Sequence, residues 1–121
     1  MAKRVLVVDD ALIMRKRISD IASAAGWEIA GEAGNGEEAV AMYDQVRPDL
    51  VTLDIVMPRM DGVTALKRVM AADPDARVVM ISAVDQREKL TECIRSGAID
   101  FIVKPFDRER LERFFVKYLD S

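Results

Sequence analysis

The sequence predicts an α/β protein in which five parallel strands alternate with five helices. Runs such as Val5-Leu6-Val7-Val8, Leu50-Val51-Thr52-Leu53 and Phe101-Ile102-Val103 are too continuously apolar for strands wetted on one side, and they read as strands buried on both faces. The stretches between the runs carry apolar residues at helical spacing. Capping and stopping residues punctuate that alternation along the whole chain.

Strands are placed near 4–8, 28–33, 50–54, 77–82 and 100–103. Helix 1 presents Met14, Ile18, Ile21, Ala22 and Ala25 on one face and stops at Gly26. Helix 2 opens on Asn35 with Glu38 three residues on, a capping-box arrangement, and buries Ala39, Val40, Tyr43 and Val46 before Pro48 prevents its continuation. Helix 3 follows an Asp61 cap and carries Leu66, Val69 and Met70. Helix 4, over 86–96, carries Leu90, Cys93 and Ile94 and ends at Ser96-Gly97. Helix 5 starts after Pro105 with Asp107 as cap and shows Leu111, Phe114, Phe115, Tyr118 and Leu119. Right-handed crossovers place helices on both faces of one sheet. The economical assembly is a five-stranded, doubly wound, flavodoxin-like (βα)5 domain spanning 1–121, with strand order 2-1-3-4-5.

Half of the 121 residues are hydrophobic and 32% are charged, a balance that permits a packed core without disulfide staples. The net charge of -3, with 18 basic residues interspersed among acids, argues against direct nucleic-acid binding. No apolar stretch is long enough to span a membrane and no signal-peptide core is present, so a cytoplasmic location is expected. Cys93 is the only cysteine and reads as a packed hydrophobe. Histidine is absent, which removes Ser-His and Cys-His nucleophilic devices, His-ligated zinc and self-contained histidine phosphorylation.

Asp9, Asp10 and Asp54 stand at the ends of the first and third strands and Lys104 at the end of the fifth. With strands 1 and 3 adjacent, the acids meet at the carboxyl edge beside the point where strand order reverses, where ligands of open α/β sheets bind. Taken singly, Asp10 reads equally well as an N-cap and Asp54 as a strand terminator. Crowded together, three carboxylates resist joint ionisation unless a cation neutralises them, and hard oxygen ligands select Mg2+ or Mn2+. Lys104 is then either a salt-bridge partner of these acids or a phosphate clamp. Ser82 alone could be a cap or loop hydroxyl.

The segments Val7-Val8-Asp9-Asp10, Leu53-Asp54-Ile55-Val56-Met57-Pro58-Arg59-Met60-Asp61-Gly62, Ile81-Ser82-Ala83 and Val103-Lys104-Pro105-Phe106 resemble, in order and across the chain, response-regulator receiver domains of bacterial two-component systems, in the single-domain chemotaxis-type form. The resemblance implies that Asp54 accepts a phosphoryl group from a phosphohistidine on a histidine kinase or phosphotransfer protein. It implies that Asp10, Asp54 and the backbone carbonyl of Val56 hold Mg2+, with Mn2+ as a substitute, while Asp9 orders the metal's water shell. Lys104 and Ser82 would bind phosphoryl oxygens. Ser82 and Phe101 would form the switch that alters a helix 4/strand 5/helix 5 face toward an output protein, and the Lys104–Pro105 bond would be cis. Val56 and Val84 are apolar where polar residues are common in the family, which bears on phosphoryl lifetime; Phe101 lacks the hydroxyl of a tyrosine.

Two other readings predict different residues. A small Mg2+-dependent phosphohydrolase working through an aspartyl-phosphate would want an acid two residues after its nucleophile, where Val56 follows Asp54. A flavin or nucleotide binder would want a glycine-, serine- or threonine-rich loop after strand 1, where Asp10-Ala11-Leu12-Ile13 stands.

Overall fold

The computed structural model describes residues 2–120, apart from the side chain of Val84. Its elements are β1 (Arg4–Val8), α1 (Leu12–Ala24), β2 (Glu28–Ala33), α2 (Gly36–Val46), β3 (Leu50–Leu53), α3 (Gly62–Ala72), β4 (Val78–Ala83), α4 (Arg87–Arg95), β5 (Asp100–Lys104) and α5 (Arg108–Leu119). The strands form one parallel sheet, as the alternation of elements implies, in the expected order β2-β1-β3-β4-β5. β1 and β3 pair from Val5↔Leu50 to Val8↔Leu53, so Asp9 and Asp54 emerge side by side from neighbouring strands.

The period-2 alternation of strand side chains divides the interior in two. Val5 and Val7 of β1 join Leu50, Val79 and Ile81 against the α1/α5 layer, with Ile18, Ile21, Leu111 and Phe115. Leu6 and Val8 point to the opposite face and pack with Leu53, Met80, Leu66 and Val69 in the other layer, beneath α2, α3 and α4. The central strands β1, β3 and β4 are covered on both sides and wet only at their ends, whereas the edge strands β2 and β5 are partly exposed along their length, so the run Phe101-Ile102-Val103 is not buried on both faces as its apolar character predicts. Trp27 closes one corner, its indole N–H donating to the Phe115 carbonyl at 3.0 Å.

Three helices start as their capping residues require: Asn35, Asp61 and Asp107 each accept the N–H of the residue three positions on, at 2.9, 2.8 and 2.8 Å. The return half of the capping box is shifted, since the Glu38 carboxylate takes the Gly34 N–H at 3.0 Å rather than that of Asn35. α1 has no side-chain cap; Ala11 is its N-cap residue, so Asp10 does not serve there. Several limits also move. β3 stops at Leu53, although the Asp54 N–H still donates to the Val8 carbonyl at 3.1 Å, β4 runs one residue further to Ala83, and β5 includes Lys104. A 3₁₀ turn at Val84–Gln86 shortens the fourth helix to Arg87–Arg95. On that helix Leu90 and Cys93 are buried, whereas Ile94 is exposed, because one further residue rotates it about 100° out of the core.

Candidate functional site

Asp9 continues the line of β1 by one residue: its N–H donates to the Ala33 carbonyl at 3.1 Å, and its side chain turns inward to 1% exposure. Asp9 Oδ1 accepts the Ala11 N–H at 2.9 Å and Oδ2 accepts Lys104 Nζ at 2.7 Å. Asp10, the next residue, is exposed. Asp54 enters from β3 and is 8% exposed; its Oδ1 accepts the Ile55 N–H at 2.8 Å and its Oδ2 accepts Lys104 Nζ at 3.2 Å. One ligand atom from each of the three aspartates lies within 4.8 Å of the others. Lys104 therefore meets the acids, and in this geometry it bridges two of them.

The electrostatics follow from the crowding. Burial chiefly, with the neighbouring Asp9 charge, pushes the Asp54 carboxyl above its ordinary value despite the opposing pull of Lys104. Burial also works against the Lys104 charge, but its hydrogen bond to Asp9 and the charges of Asp54 and Asp9 outweigh that, and its pKa is raised. Three carboxylates against one lysine leave a formal charge of −2 at the site. An all-oxygen donor set with that surplus fits a hard divalent cation.

Beside the acids, Ser82 lies inside β4, fully buried, and its hydroxyl has no hydrogen-bond partner among the described residues. Such an orphan costs stability unless an acceptor reaches it. The loop after Asp54 is pinned from below by Gly62. Its N–H donates to the Ile55 carbonyl at 2.7 Å, and a Cβ on it would lie 2.0 Å from the Asp54 carbonyl oxygen, so only glycine admits that approach. The Lys104–Pro105 peptide is cis.

Val56 stands at the rim, 54% exposed. Val84 begins the 3₁₀ turn after β4, and its side chain lies outside the described residues. Phe101 is not part of the acid site. It pairs with Met80 in the ladder, is 43% exposed, and lines a surface groove of about 370 Å³ with Leu90, Ile94 and Val103. Sequence reading missed Arg15, whose guanidinium contacts the site's backbone; it sits in a basic stretch, Arg15-Lys16-Arg17, that reads as a solvated helix face.

A parallel sheet with this acid and lysine set at its carboxyl edge is the architecture of a receiver domain. The sequence model for the response regulator receiver domain matches residues 5–115, and the chain belongs to that family. Within it the chain is CheY-like: it is 51% identical to the chemotaxis protein CheY of Thermotoga maritima over 111 residues, 92% of each chain, and 50% identical to that of Bacillus subtilis over 111 residues, again 92% of each. Among solved structures it is similar to the CheX-CheY-BeF3-Mg2+ complex from Borrelia burgdorferi, with a TM-score of 0.90 and 40% identity over 98% of this chain and 90% of that one. The response regulator domain of Thermotoga maritima CheB matches with a TM-score of 0.88 and 33% identity, covering 100% and 98%. Among the described residues no helix is long and apolar enough to cross a membrane.

Proposed function

We propose that this protein is a cytoplasmic, phosphorylation-activated switch of the chemotaxis type, a single receiver domain that accepts a phosphoryl group on Asp54 from a partner histidine kinase or phosphotransfer protein. The observation that carries the reading is the Asp54 carboxylate itself. It is held at Oδ1 by the Ile55 N–H and at Oδ2 by Lys104, within one cluster with Asp9 and Asp10. A carboxylate oxygen of Asp54 attacks phosphorus, the P–N bond to the donor imidazole breaks with its electron pair going to nitrogen, that nitrogen takes a proton from solvent, and the products are an acyl phosphate and a neutral imidazole.

Mg2+, for which Mn2+ would substitute, would be held by Asp10, Asp54 and the Val56 carbonyl and would supply positive charge opposite the phosphoryl oxygens. Both oxygens of Asp9 already have partners, which suits it to ordering that ion's water shell rather than ligating it. Lys104 would pass from the carboxylates to a phosphoryl oxygen as a charge-assisted donor. The unpartnered Ser82 hydroxyl would donate to another. Movement of Ser82 would open space for Phe101, now on the surface, to turn inward and reshape the α4/β5/α5 face for an output protein.

The phosphohydrolase alternative gains nothing here, since exposed Val56 occupies the place its general acid would need. Incubation with a small acyl phosphate plus Mg2+ is expected to add one phosphoryl group, detected by intact-mass spectrometry, and Asp54→Asn is expected to abolish it. Equal labelling without divalent metal would falsify the mechanism.

A further inference from the structure

We propose that Arg15 is a positioning residue for the acidic site: by holding the Asp9 carbonyl it fixes the Asp9–Asp10 peptide, and with it the direction of the Asp10 carboxylate. The inference deepens the phosphoryl-acceptor reading and rests on it. Asp9 is constrained at its N–H by Ala33, at Oδ1 by Ala11 and at Oδ2 by Lys104. Asp10 has no such constraint. Its side chain is exposed and makes no hydrogen bond to another described residue, so where it points is decided by its backbone.

The peptide that sets Asp10 lies beyond the end of β1, where no strand takes the Asp9 carbonyl. Arg15 takes it instead, Nη1 donating at 2.7 Å, while its Nε donates to Glu32 Oε1 at 3.1 Å. The Arg15 side chain is only 18% exposed. A guanidinium fork can hold a carbonyl and a carboxylate at once, whereas an ammonium on a flexible stem cannot reproduce that two-point geometry. Glu32 on β2 thereby fixes Arg15, Arg15 fixes the turn, and the turn aims Asp10 toward Asp54.

Charge and position make opposite predictions. A cation held on the site's backbone disfavours a second cation nearby, so if Arg15 acted through charge alone its removal would tighten divalent binding. If it acts by positioning, removal weakens binding, because the Asp10 carboxylate is no longer held beside that of Asp54. The test titrates Mg2+ into the full chain by calorimetry for the wild type, Arg15→Met, Arg15→Lys and Arg17→Met. Arg17 is a control from the same helix whose Nη2 reaches the Phe106 carbonyl at 3.3 Å rather than Asp9.

Arg15→Met is expected to weaken Mg2+ binding by about tenfold, the size of effect that outer-shell partners of metal ligands show. Arg15→Lys, which keeps the charge, is expected to weaken it several-fold, and Arg17→Met to leave it unchanged or slightly tighter. Binding as tight as wild type in a folded Arg15→Met protein overturns the proposal. A second measurement needs no metal: hydrogen exchange at the Ala11 amide should quicken in Arg15→Lys, since that N–H is bonded to the Asp9 side chain of the same turn. Unchanged exchange overturns the positioning role. If the wild type itself binds no Mg2+, the phosphoryl-acceptor reading fails, and the exchange result alone decides what Arg15 does.

Discussion

At the amino end of the sheet Asp49 accepts the Arg4 N–H at 2.8 Å, Asp73 accepts the Tyr43 hydroxyl at 2.7 Å, and Asp100 accepts the Tyr118 hydroxyl, whereas at the carboxyl end Asp9 and Asp54 share Lys104 with Asp10 clustered beside them. The same residue types are used to opposite effect. Asp73 is held below the ordinary carboxylate range by the Tyr43 hydroxyl first, and Asp100 is lowered by Tyr118, the Phe101 N–H and Lys117 although burial opposes it. Asp54 alone among the carboxylates with a resolved shift is pushed up. One end settles its charges inside the protein; the other keeps a negative surplus that only an outside cation can settle.

The largest expected effect comes from removing the cation that pairs with the Asp9 and Asp54 carboxylates. Lys104→Ala leaves Asp9 and Asp54 buried without their partner and should cost about 3 kcal/mol in metal-free denaturant unfolding, the range for breaking a buried ion pair. Mg2+ should restore more stability to this variant than it adds to wild type, because the surplus it meets is larger. Acyl-phosphate labelling should survive while the phosphorylation-induced shift of Phe101, read by NMR, is blunted. A variant whose stability loss is the same with and without Mg2+ would show that Lys104 does not share its work with the ion.

The amino end should respond to mutation in stability alone. Tyr118→Phe removes a hydrogen bond to an ionised carboxylate and is expected to cost about 1–2 kcal/mol while leaving labelling and Mg2+ affinity untouched. Its pH dependence has a definite sign. Burial first, then the Asp100 hydrogen bond, raises the Tyr118 pKa from 10.0 to about 12, and burial with Asp73 does the same to Tyr43. The neutral phenols thus add stability that is complete below pH 10 and is lost as pH rises toward 12. In Tyr118→Phe that alkaline loss should be roughly halved, and a change in Mg2+ affinity would break the division between the two ends.

Much of this organisation was legible in the residues. Apolar runs covered on both faces give parallel strands, and the caps Asn35, Asp61 and Asp107 each do what their side chains suit them to do. The strand order followed from bringing the acids together and is observed. What the chain alone did not separate was Asp9 from Asp10. Adjacent residues at a strand end differ in depth although their carboxylates meet, so one is sunk onto Lys104 and the other stays exposed, and spacing cannot say which before the register is known. Arg15 was hidden for a related reason, since its partner atom is a backbone carbonyl, which leaves no trace in side-chain patterning. Ile94 shows the converse, an apolar residue that belongs to a surface groove instead of the core.

A smaller effect tests whether the carboxyl end stores a cost. Because the Asp54 pKa is raised on folding, the ionised side chain opposes the fold at any pH well above the ordinary aspartate value of 3.8. Asp54→Asn, metal-free at neutral pH, should therefore raise stability by about 1 kcal/mol, roughly 4 °C in melting temperature for a domain of this size. The gain should shrink as pH falls and wild-type Asp54 takes up its proton. Saturating Mg2+ should reverse the order, since the ion binds the wild-type carboxylate and not the amide. Destabilisation by Asp54→Asn in the absence of metal would remove the stored-cost argument.

The smallest structural change carries the sharpest kinetic question. Hydrolysis of the acyl phosphate needs a water oriented in line with the P–O bond to Asp54, and a hydrogen-bonding side chain at the rim could hold it. Val56 offers none. Were its role merely to pack against neighbouring loops, polar replacement would damage the fold, but a side chain 54% exposed has little packing to lose. Val56→Asn is accordingly expected to change unfolding free energy by less than about 0.5 kcal/mol and leave Mg2+ binding intact. Acyl-phosphate decay, followed by loss of the phosphoryl mass after excess donor is removed, should quicken several-fold. Decay at the wild-type rate in that folded, metal-binding variant would mean that Val56 does not govern the lifetime.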